Sequence, residues 1–351
     1  MTAIPSLSTL TLGLPPSCIS FSPKYPEYFV VGTYHLHPQK SGEEGAAQQR
    51  SGSLLLYKLT GDDMYWTHLP VLAEGVFIVD EDELVGTVLT PKFSILHLEW
   101  SPHGHDGDPD SLAVATSTGS LVFYESSPQD GSLVEVNRKQ ICDVDVLVLH
   151  LAWHPTREDY VGVALSDGRV CLCSFPADGE GVEVIEVARH SLEAWFLAFY
   201  DESSGSSTIF SGGDDMVLQQ STIDSDGSAT QLWQDRRLHQ AGITAILRLS
   251  TELIVTGSYD DHIRLISTPK TGRRQVLAES NLEGGVWRLK VLSDSEQLAN
   301  TNPSTAQLQE ASLVPSSTTL PAQPNVTRYT VPPFSKDPPS NLSVEPHENG
   351  R

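Results

Sequence analysis

Residues 253–266 read LIVTGSYDDHIRLI and contain two short apolar runs separated by a polar segment. Apolar side chains that alternate with small or polar ones favour β-strands, and a cluster of Ser, Tyr and Asp residues between two such runs indicates a tight turn. The segment therefore predicts two antiparallel strands joined by a turn at Asp260 and Asp261.

Similar segments precede this one at nearly regular intervals. They are residues 208–218, 160–172 and 112–123, and a weaker copy joins residues 28–33 to residues 52–57. The turns at Asp214, Asp167 and Thr118 place successive copies 46, 47 and 49 residues apart, counting back from Asp260. A period slightly above 40 residues, with a strand, a turn and a strand in each copy, is typical of WD-repeat propeller blades.

The repeats predict an all-β fold, a WD-repeat β-propeller over residues 15–292 with five clear blades and a partial sixth. Because a seven-bladed ring would need about one and a half more blades, we expect either an open ring or a truncated or alternatively spliced version of a longer protein. Residues 1–14 are predicted to be an N-terminal segment. Residues 293–351, rich in Ser, Pro, Asn, Thr and Gln, are predicted to be a disordered low-complexity tail.

The charge balance of the chain narrows the classes of partner. The 351 residues include 22 basic and 45 acidic side chains, which give a formal net charge of −23. Such a polyanion is not expected to bind nucleic acid or an anionic membrane, because both need clustered Lys and Arg. Its field favours a cationic ligand. The four cysteines, the uncharged start of the chain and the lack of a long apolar run predict a cytoplasmic protein.

One group of residues has the composition of a Ser-His-Asp nucleophilic set: His239, Ser258 and Asp260. In a propeller blade, a His before the innermost strand, a Ser on the second strand and an Asp in the next turn also hydrogen-bond one another and hold the blade together. His190 and Asp214 repeat the arrangement one blade earlier, where a glycine takes the position of the Ser. Because that copy has no nucleophile, we predict that all five residues are structural.

A second group does not belong to this hydrogen-bonded set. Alignment of the copies gives equivalent positions at the start of the innermost strands to Val148, Trp195, Thr244 and Trp287. In a propeller this position borders the mouth of the central channel. The two Trp side chains, beside Glu193 and Arg288, either bind a ligand or plug the channel.

Four motifs carry a family resemblance, and they occur in this order: RHSLEAW at residues 189–195, SGGDD at 211–215, TGSYDDH at 256–262 and EGGVWRLK at 283–290. Together they resemble the WD-repeat diphthine methyl esterases of the diphthamide pathway, over about residues 15–292. The resemblance implies a carboxylic ester hydrolase that removes the methyl ester of methylated diphthine from a modified histidine of translation elongation factor 2. That protein is the expected partner, and neither a cofactor nor a metal is expected.

The substrate implied by this resemblance carries a trimethylammonium group, for which aromatic rings and a carboxylate form a suitable receptor. We predict that Trp195 and Trp287 contact the ammonium group, that Glu193 supplies negative charge, and that Tyr259 lies on the same rim.

Hydrolysis also needs a base and donors for the developing oxyanion. His262, with Asp261 beside it, is the predicted base because its unperturbed pKa lies near neutrality. Arg288 is the predicted donor. The alternative is a non-enzymatic WD-repeat scaffold that docks protein partners through its rim.

Overall fold

The computed structural model describes residues 11–38, 48–58, 84–104, 109–127, 132–176, 181–201, 207–224 and 228–290. The predicted tail, residues 293–351, and most of the predicted N-terminal segment lie outside these ranges. Within them the chain forms β-strands and no helices, and therefore no helix that could span a bilayer.

The strands form five antiparallel sheets. The first contains β1 (Pro16–Phe21), β2 (Tyr28–Thr33), β3 (His35–Leu36), β4 (Arg50–Lys58) and β5 (Leu84–Thr90). The second contains β6 (Ile95–Trp100), β7 (Asp110–Thr116), β8 (Ser120–Ser127) and β9 (Ser132–Gln140). The third contains β10 (Val148–Trp153), β11 (Tyr160–Leu165), β12 (Arg169–Ser174) and β13 (Glu183–Arg189). The fourth contains β14 (Ala194–Asp201), β15 (Ser207–Gly213), β16 (Leu218–Ile223) and β17 (Ala229–Asp235). The fifth contains β18 (Ile243–Arg248), β19 (Leu253–Ser258), β20 (His262–Ser267) and β21 (Gln275–Asn281).

Each sheet is a four-position propeller blade. The first sheet fits this description because β3 continues β2 beyond Tyr34, and both pair with β4 in one register. The first strands of the blades, β1, β6, β10, β14 and β18, contact one another in chain order. They are therefore the inner strands around a common axis, and the predicted all-β propeller is confirmed.

The apolar core lies between adjacent blades. One cluster joins Val30 and Leu54 of the first blade to Leu98, Leu112 and Val122 of the second, and all five side chains are buried. Removing such a side chain from water stabilises the fold by about 1.5–3 kcal/mol. The second strand of each blade is covered on both faces, which explains why β2 and β19 are buried along their whole length.

Two glycines allow a close approach between a blade and the segment that begins the next one. Gly212 faces the start of β18, and Gly257 faces the segment that contains Val286. A Cβ on Gly212 would lie 2.6 Å from Ile243 Cγ2, and a Cβ on Gly257 would lie 2.4 Å from Val286 Cγ1. Val286 therefore packs on the fifth blade as Ile243, the first residue of β18, packs on the fourth. The described residues form no strand after Asn281, so this packing of Val286 is what they show of the partial sixth blade that the sequence predicts.

Candidate functional site

The fifth blade is held together by a buried histidine. The N–H of His239 Nε2 donates to Thr256 Oγ1 over 3.2 Å, and Nδ1 accepts from Arg264 Nη1 over 3.1 Å. Arg264 Nη1 also donates to both carboxylate oxygens of Asp260, over 2.8 and 2.9 Å. The prediction that Ser258 bonds His239 is wrong, because the Ser258 hydroxyl donates to the carbonyl of Ala241 over 3.1 Å and accepts the amide N–H of Asp260 over 3.2 Å.

The fourth blade repeats this arrangement around the predicted His190, but the aspartate that bonds it is not the predicted one, and it also bonds a hydroxyl that was not predicted. His190 Nδ1 donates to Asp215 Oδ1 over 2.9 Å, and Nε2 lies 2.9 Å from Ser211 Oγ and 2.8 Å from Gln219 Nε2. The assignment of Asp214 to this set is wrong, because the turn places Asp215 opposite the histidine. Ser211 also supplies the hydroxyl that the sequence comparison did not find.

Backbone geometry explains the difference of one residue. Met216 and Asp261 have φ angles of 63° and 66°, so they occupy the same left-handed position in their turns. The residues before them, Asp215 and Asp260, are therefore equivalent. Spacing alone does not reveal this, because the two turns differ in residue type at the left-handed position.

The hydrogen-bonded histidines are structural. His190 and His239 are 2% and 3% exposed, and both ring nitrogens of each are partnered. Burial, with the neighbouring Arg264 charge, lowers the pKa of His239 to about 4. Although burial opposes ionisation, hydrogen bonds from His190 and two backbone N–H groups lower the pKa of Asp215 to about 2.

The mouth of the channel is lined by one residue from each of the five inner strands and by Trp287, which follows the fifth blade. These residues are Ser17, Leu96, Leu149, Trp195, Thr244 and Trp287, and with Arg288 they enclose a gap of about 10 Å³. In the first five blades the residue is the extra one of a β-bulge. The alignment that placed Val148 here is wrong by one position, because Val148 precedes its bulge and is fully buried between blades.

Three aromatic rings meet at this mouth, and we call Trp195, Tyr259 and Trp287 the aromatic triad. The ring centroids are 5.6 Å apart for the two Trp side chains, 5.3 Å for Tyr259 and Trp287, and 6.3 Å for Trp195 and Tyr259. All three pairs are tilted or edge-to-face, as aromatic quadrupoles favour. The rings therefore pack on one another and close this mouth, and any ligand has to use their outer faces or turn a ring aside.

Asp214, which does not belong to the structural set, contributes negative charge to the triad. Its Oδ1 accepts the indole N–H of Trp195 over 3.2 Å. Its amide donates to the backbone carbonyl of Glu193 over 2.9 Å, so the two acidic residues are neighbours. Burial raises the pKa of Tyr259 well above its usual value, and the charge of Asp214 raises it further, so the phenol stays neutral. A cation is the ligand that this combination of carboxylate and π faces attracts.

Arg288 also lies at the mouth, as predicted from its position beside Trp287. Its Nη1 donates to the carbonyl of Trp287 over 3.0 Å, and its Cζ lies 5.6 Å from the Trp287 ring centroid. Burial lowers the pKa of Arg288, whereas the neighbouring Cys18 and Tyr259 oppose this change.

The structure does not bring His262 and Asp261 against the triad. His262 begins β20, the third strand from the channel, and pairs with Asn281 of the outer strand. Its Nδ1 donates to the carbonyl of Asp260 over 2.6 Å, and its side chain is 27% exposed. The carbonyl of Asp261 accepts the amide N–H of Leu282. Both residues stay candidates for the predicted role, without a contact to Trp195, Trp287 or Arg288 among the described residues.

In the part of the chain that the structure describes, no group of three or more His, Cys, Asp or Glu side chains could hold a metal ion. The four cysteines are free thiols, and Cys18, Cys171 and Cys173 are buried.

Known proteins with similar sequences share one name. No protein-family model matches the chain. A diphthine methyltransferase from Schizosaccharomyces pombe is 28% identical over 284 residues, which cover 80% of this chain and 74% of that protein. The human diphthine methyltransferase is 27% identical over 291 residues, covering 74% of this chain and 57% of that protein. The mouse protein of the same name is 36% identical over 193 residues, covering 51% and 39%.

The fold has counterparts among solved structures. The crystal structure of Sqt1 from Chaetomium thermophilum superimposes with a TM-score of 0.51 at 14% identity, over 79% of this chain and 64% of that one. That likeness concerns the fold alone. The chain spans less than two thirds of Sqt1 and of the human and mouse relatives. The sequence matches confirm the resemblance that the four motifs predicted: this chain is similar to proteins named diphthine methyltransferase in fission yeast, human and mouse.

Proposed function

We propose that the protein acts in diphthamide biosynthesis as a methyl esterase, which hydrolyses the methyl ester of methylated diphthine on translation elongation factor 2. The names of its relatives support a methyl-related step on diphthine. The single observation that carries the proposal is the aromatic triad beside Asp214, because π faces next to a carboxylate are the receptor that a trimethylammonium group needs.

In this proposal the triad holds the cation on its outer faces, and Asp214 and Glu193 supply the negative field. Arg288 donates to the oxygen on which charge develops during ester hydrolysis. His262 is the proposed base, and the hydrogen bond from its Nδ1 leaves Nε2 as the nitrogen that can accept a proton.

The test is incubation of the full chain with elongation factor 2 that carries methylated diphthine, followed by assays for methanol and for loss of one methyl mass from the substrate. We expect both signals to appear. Trp195→Ala should lower kcat/KM by about two- to thirtyfold, the range that a cation–π contact of about 0.5–2 kcal/mol allows. Trp195→Phe is the matched control, because it keeps a π face. Unchanged kcat/KM in Trp195→Ala would contradict the role of the triad, and unchanged turnover in His262→Ala would remove His262 as the base.

A non-enzymatic scaffold is the second candidate. The observation that favours it is the close packing of the triad, which leaves a gap of only about 10 Å³ at the mouth. On this alternative the rings plug the channel and stabilise the blades. Absence of methanol release by both this chain and its full-length fission yeast relative would favour the scaffold.

A further inference from the structure

A second set of side chains comes directly after the mouth residues along the chain. Five of them lie on the inner strands, and the sixth, Arg288, lies in the segment that follows β21. The set is Cys18, His97, His150, Phe196, Ala245 and Arg288. The His97 and His150 rings lie 4.2 Å apart between centroids, and His150 and Phe196 lie 3.9 Å apart. We call these six residues the inner ring.

The inner ring contains a positive charge on Arg288. Among the described residues, its electrostatic neighbours are Cys18 and Tyr259 rather than a carboxylate, and its Nη1 donates to the carbonyl of Trp287. Glu99, two residues beyond His97 on β6, is influenced by Lys290 rather than by Arg288, and burial raises its pKa to about 7. Leaving a guanidinium partly buried and unpaired costs free energy unless an anion or dipole compensates it.

The two histidines add unpaired polar atoms. The Nδ1 atoms of His97 and His150 are buried and have no hydrogen-bond partner in the described part of the chain. His150 is 4% exposed. Burial, and then the charge of Arg288, keeps the pKa of His97 well below its usual value. Burial, then His97 and then Arg288, lowers the pKa of His150 in the same way. The rings are therefore neutral, and each can both donate and accept a hydrogen bond.

We propose that Arg288, His97 and His150 form a subsite for a carboxyl or carboxylic ester group, next to a cation subsite at the aromatic triad. Trp287 and Arg288 are consecutive, and the guanidinium lies 5.6 Å from the Trp287 ring. The two subsites therefore suit a ligand in which a quaternary ammonium and a carboxyl group lie a few bonds apart, and one ring of the triad has to turn aside for such a ligand to fill both. The gap of about 10 Å³ beside Arg288 has the size that one water molecule, or one oxygen atom, needs.

This inference deepens the proposed function and rests on the triad as its cation site, but it concerns binding rather than turnover. Glycine betaine carries both groups, choline carries only the cation, and acetate carries only the carboxylate. Calorimetric titration of the full chain with each compound should show tighter binding of glycine betaine than of choline. A charge-assisted hydrogen bond to Arg288 accounts for about a ten- to hundredfold difference in Kd.

Arg288→Met should abolish the preference for glycine betaine. It should not weaken choline binding, because the substitution removes a positive charge beside the Trp287 ring. Arg237→Met is the matched control, because Arg237 lies on the surface with a side chain that is 78% exposed. The proposal is overturned if the unaltered protein shows no preference for glycine betaine, or if the preference survives in Arg288→Met. These outcomes are separate from methanol release, so the esterase proposal can fail while the subsite stands, and the reverse.

A second measurement covers the case in which Arg288→Met does not fold. In NMR spectra of the unaltered protein, glycine betaine should shift the imidazole signals of His97 and His150, whereas choline should shift only the indole signals of Trp195 and Trp287. Imidazole signals that do not respond to glycine betaine would contradict the subsite.

Discussion

Gly257→Ala tests whether the close approach of β19 to Val286 positions the aromatic triad. A Cβ at this position would lie 2.4 Å from Val286 Cγ1, 2.8 Å from its Cβ and 3.0 Å from its carbonyl oxygen. Ordinary carbon contacts are about 3.5–4.0 Å, so Val286 has to move by about 1 Å. Overpacking of this kind costs about 1–3 kcal/mol. Because Trp287 and Arg288 follow directly, the displacement carries into the mouth of the channel.

The assay is urea unfolding of the variant together with its tryptophan emission under native conditions. Gly13→Ala is the control, because nothing lies within 4 Å of a Cβ at Gly13. We expect a loss of about 1–3 kcal/mol in the free energy of unfolding, and altered emission, only for Gly257→Ala. If both variants have the same stability and emission, the close approach of β19 does not position the triad.

Three further changes test the turns and the buried histidines, all by urea unfolding. Asp215→Asn should lower the free energy of unfolding by about 2–3 kcal/mol at pH 7. The Asp215 carboxyl has a pKa of about 2 in the folded protein and about 4 in the unfolded chain, so it stabilises the fold above pH 4 and loses this contribution as the pH falls towards 2. A cost that does not shrink below pH 4 would contradict this account. Thr256→Val should cost about 1–3 kcal/mol by removing the acceptor of the buried His239 N–H, and Thr256→Ser should restore most of it. Met216→Gly should raise stability by about 1 kcal/mol, because Met216 has a φ of 63°; a lower stability would show that the Met side chain outweighs the backbone strain.

The blade pattern was predictable because its causes are local. Alternation of apolar and polar side chains determines which face of a strand is buried, and polar turn residues separate the strands. The predicted turn at Asp260 and Asp261 is present in the structure, and Val286 packs on the fifth blade where the predicted sixth blade would start. Three of the four aligned mouth positions, Trp195, Thr244 and Trp287, also occupy the mouth.

Two of the errors concern positions one residue from the right one, and a third placed the hydroxyl partner of His239 at Ser258 instead of Thr256. The sequence comparison assigned Asp214 to the hydrogen-bonded set and Val148 to the mouth, where the structure has Asp215 and Leu149. A β-bulge in each inner strand and a left-handed residue in each turn set these positions. Neither has a distinct sequence pattern here, because Met216 replaces the glycine that such a turn favours.

By itself the sequence determined that the chain builds repeated antiparallel blades, that it is strongly acidic, and that aromatic residues begin certain inner strands. Only the tertiary structure decided that Trp195, Tyr259 and Trp287 touch, that Asp214 joins them, and that the His97 and His150 rings pack together with buried Nδ1 atoms that have no partner among the described residues. The physical reason is one of range. Strand formation depends on neighbours a few residues away, whereas these contacts join blades from distant parts of the chain, and their geometry follows from how the blades pack around the axis.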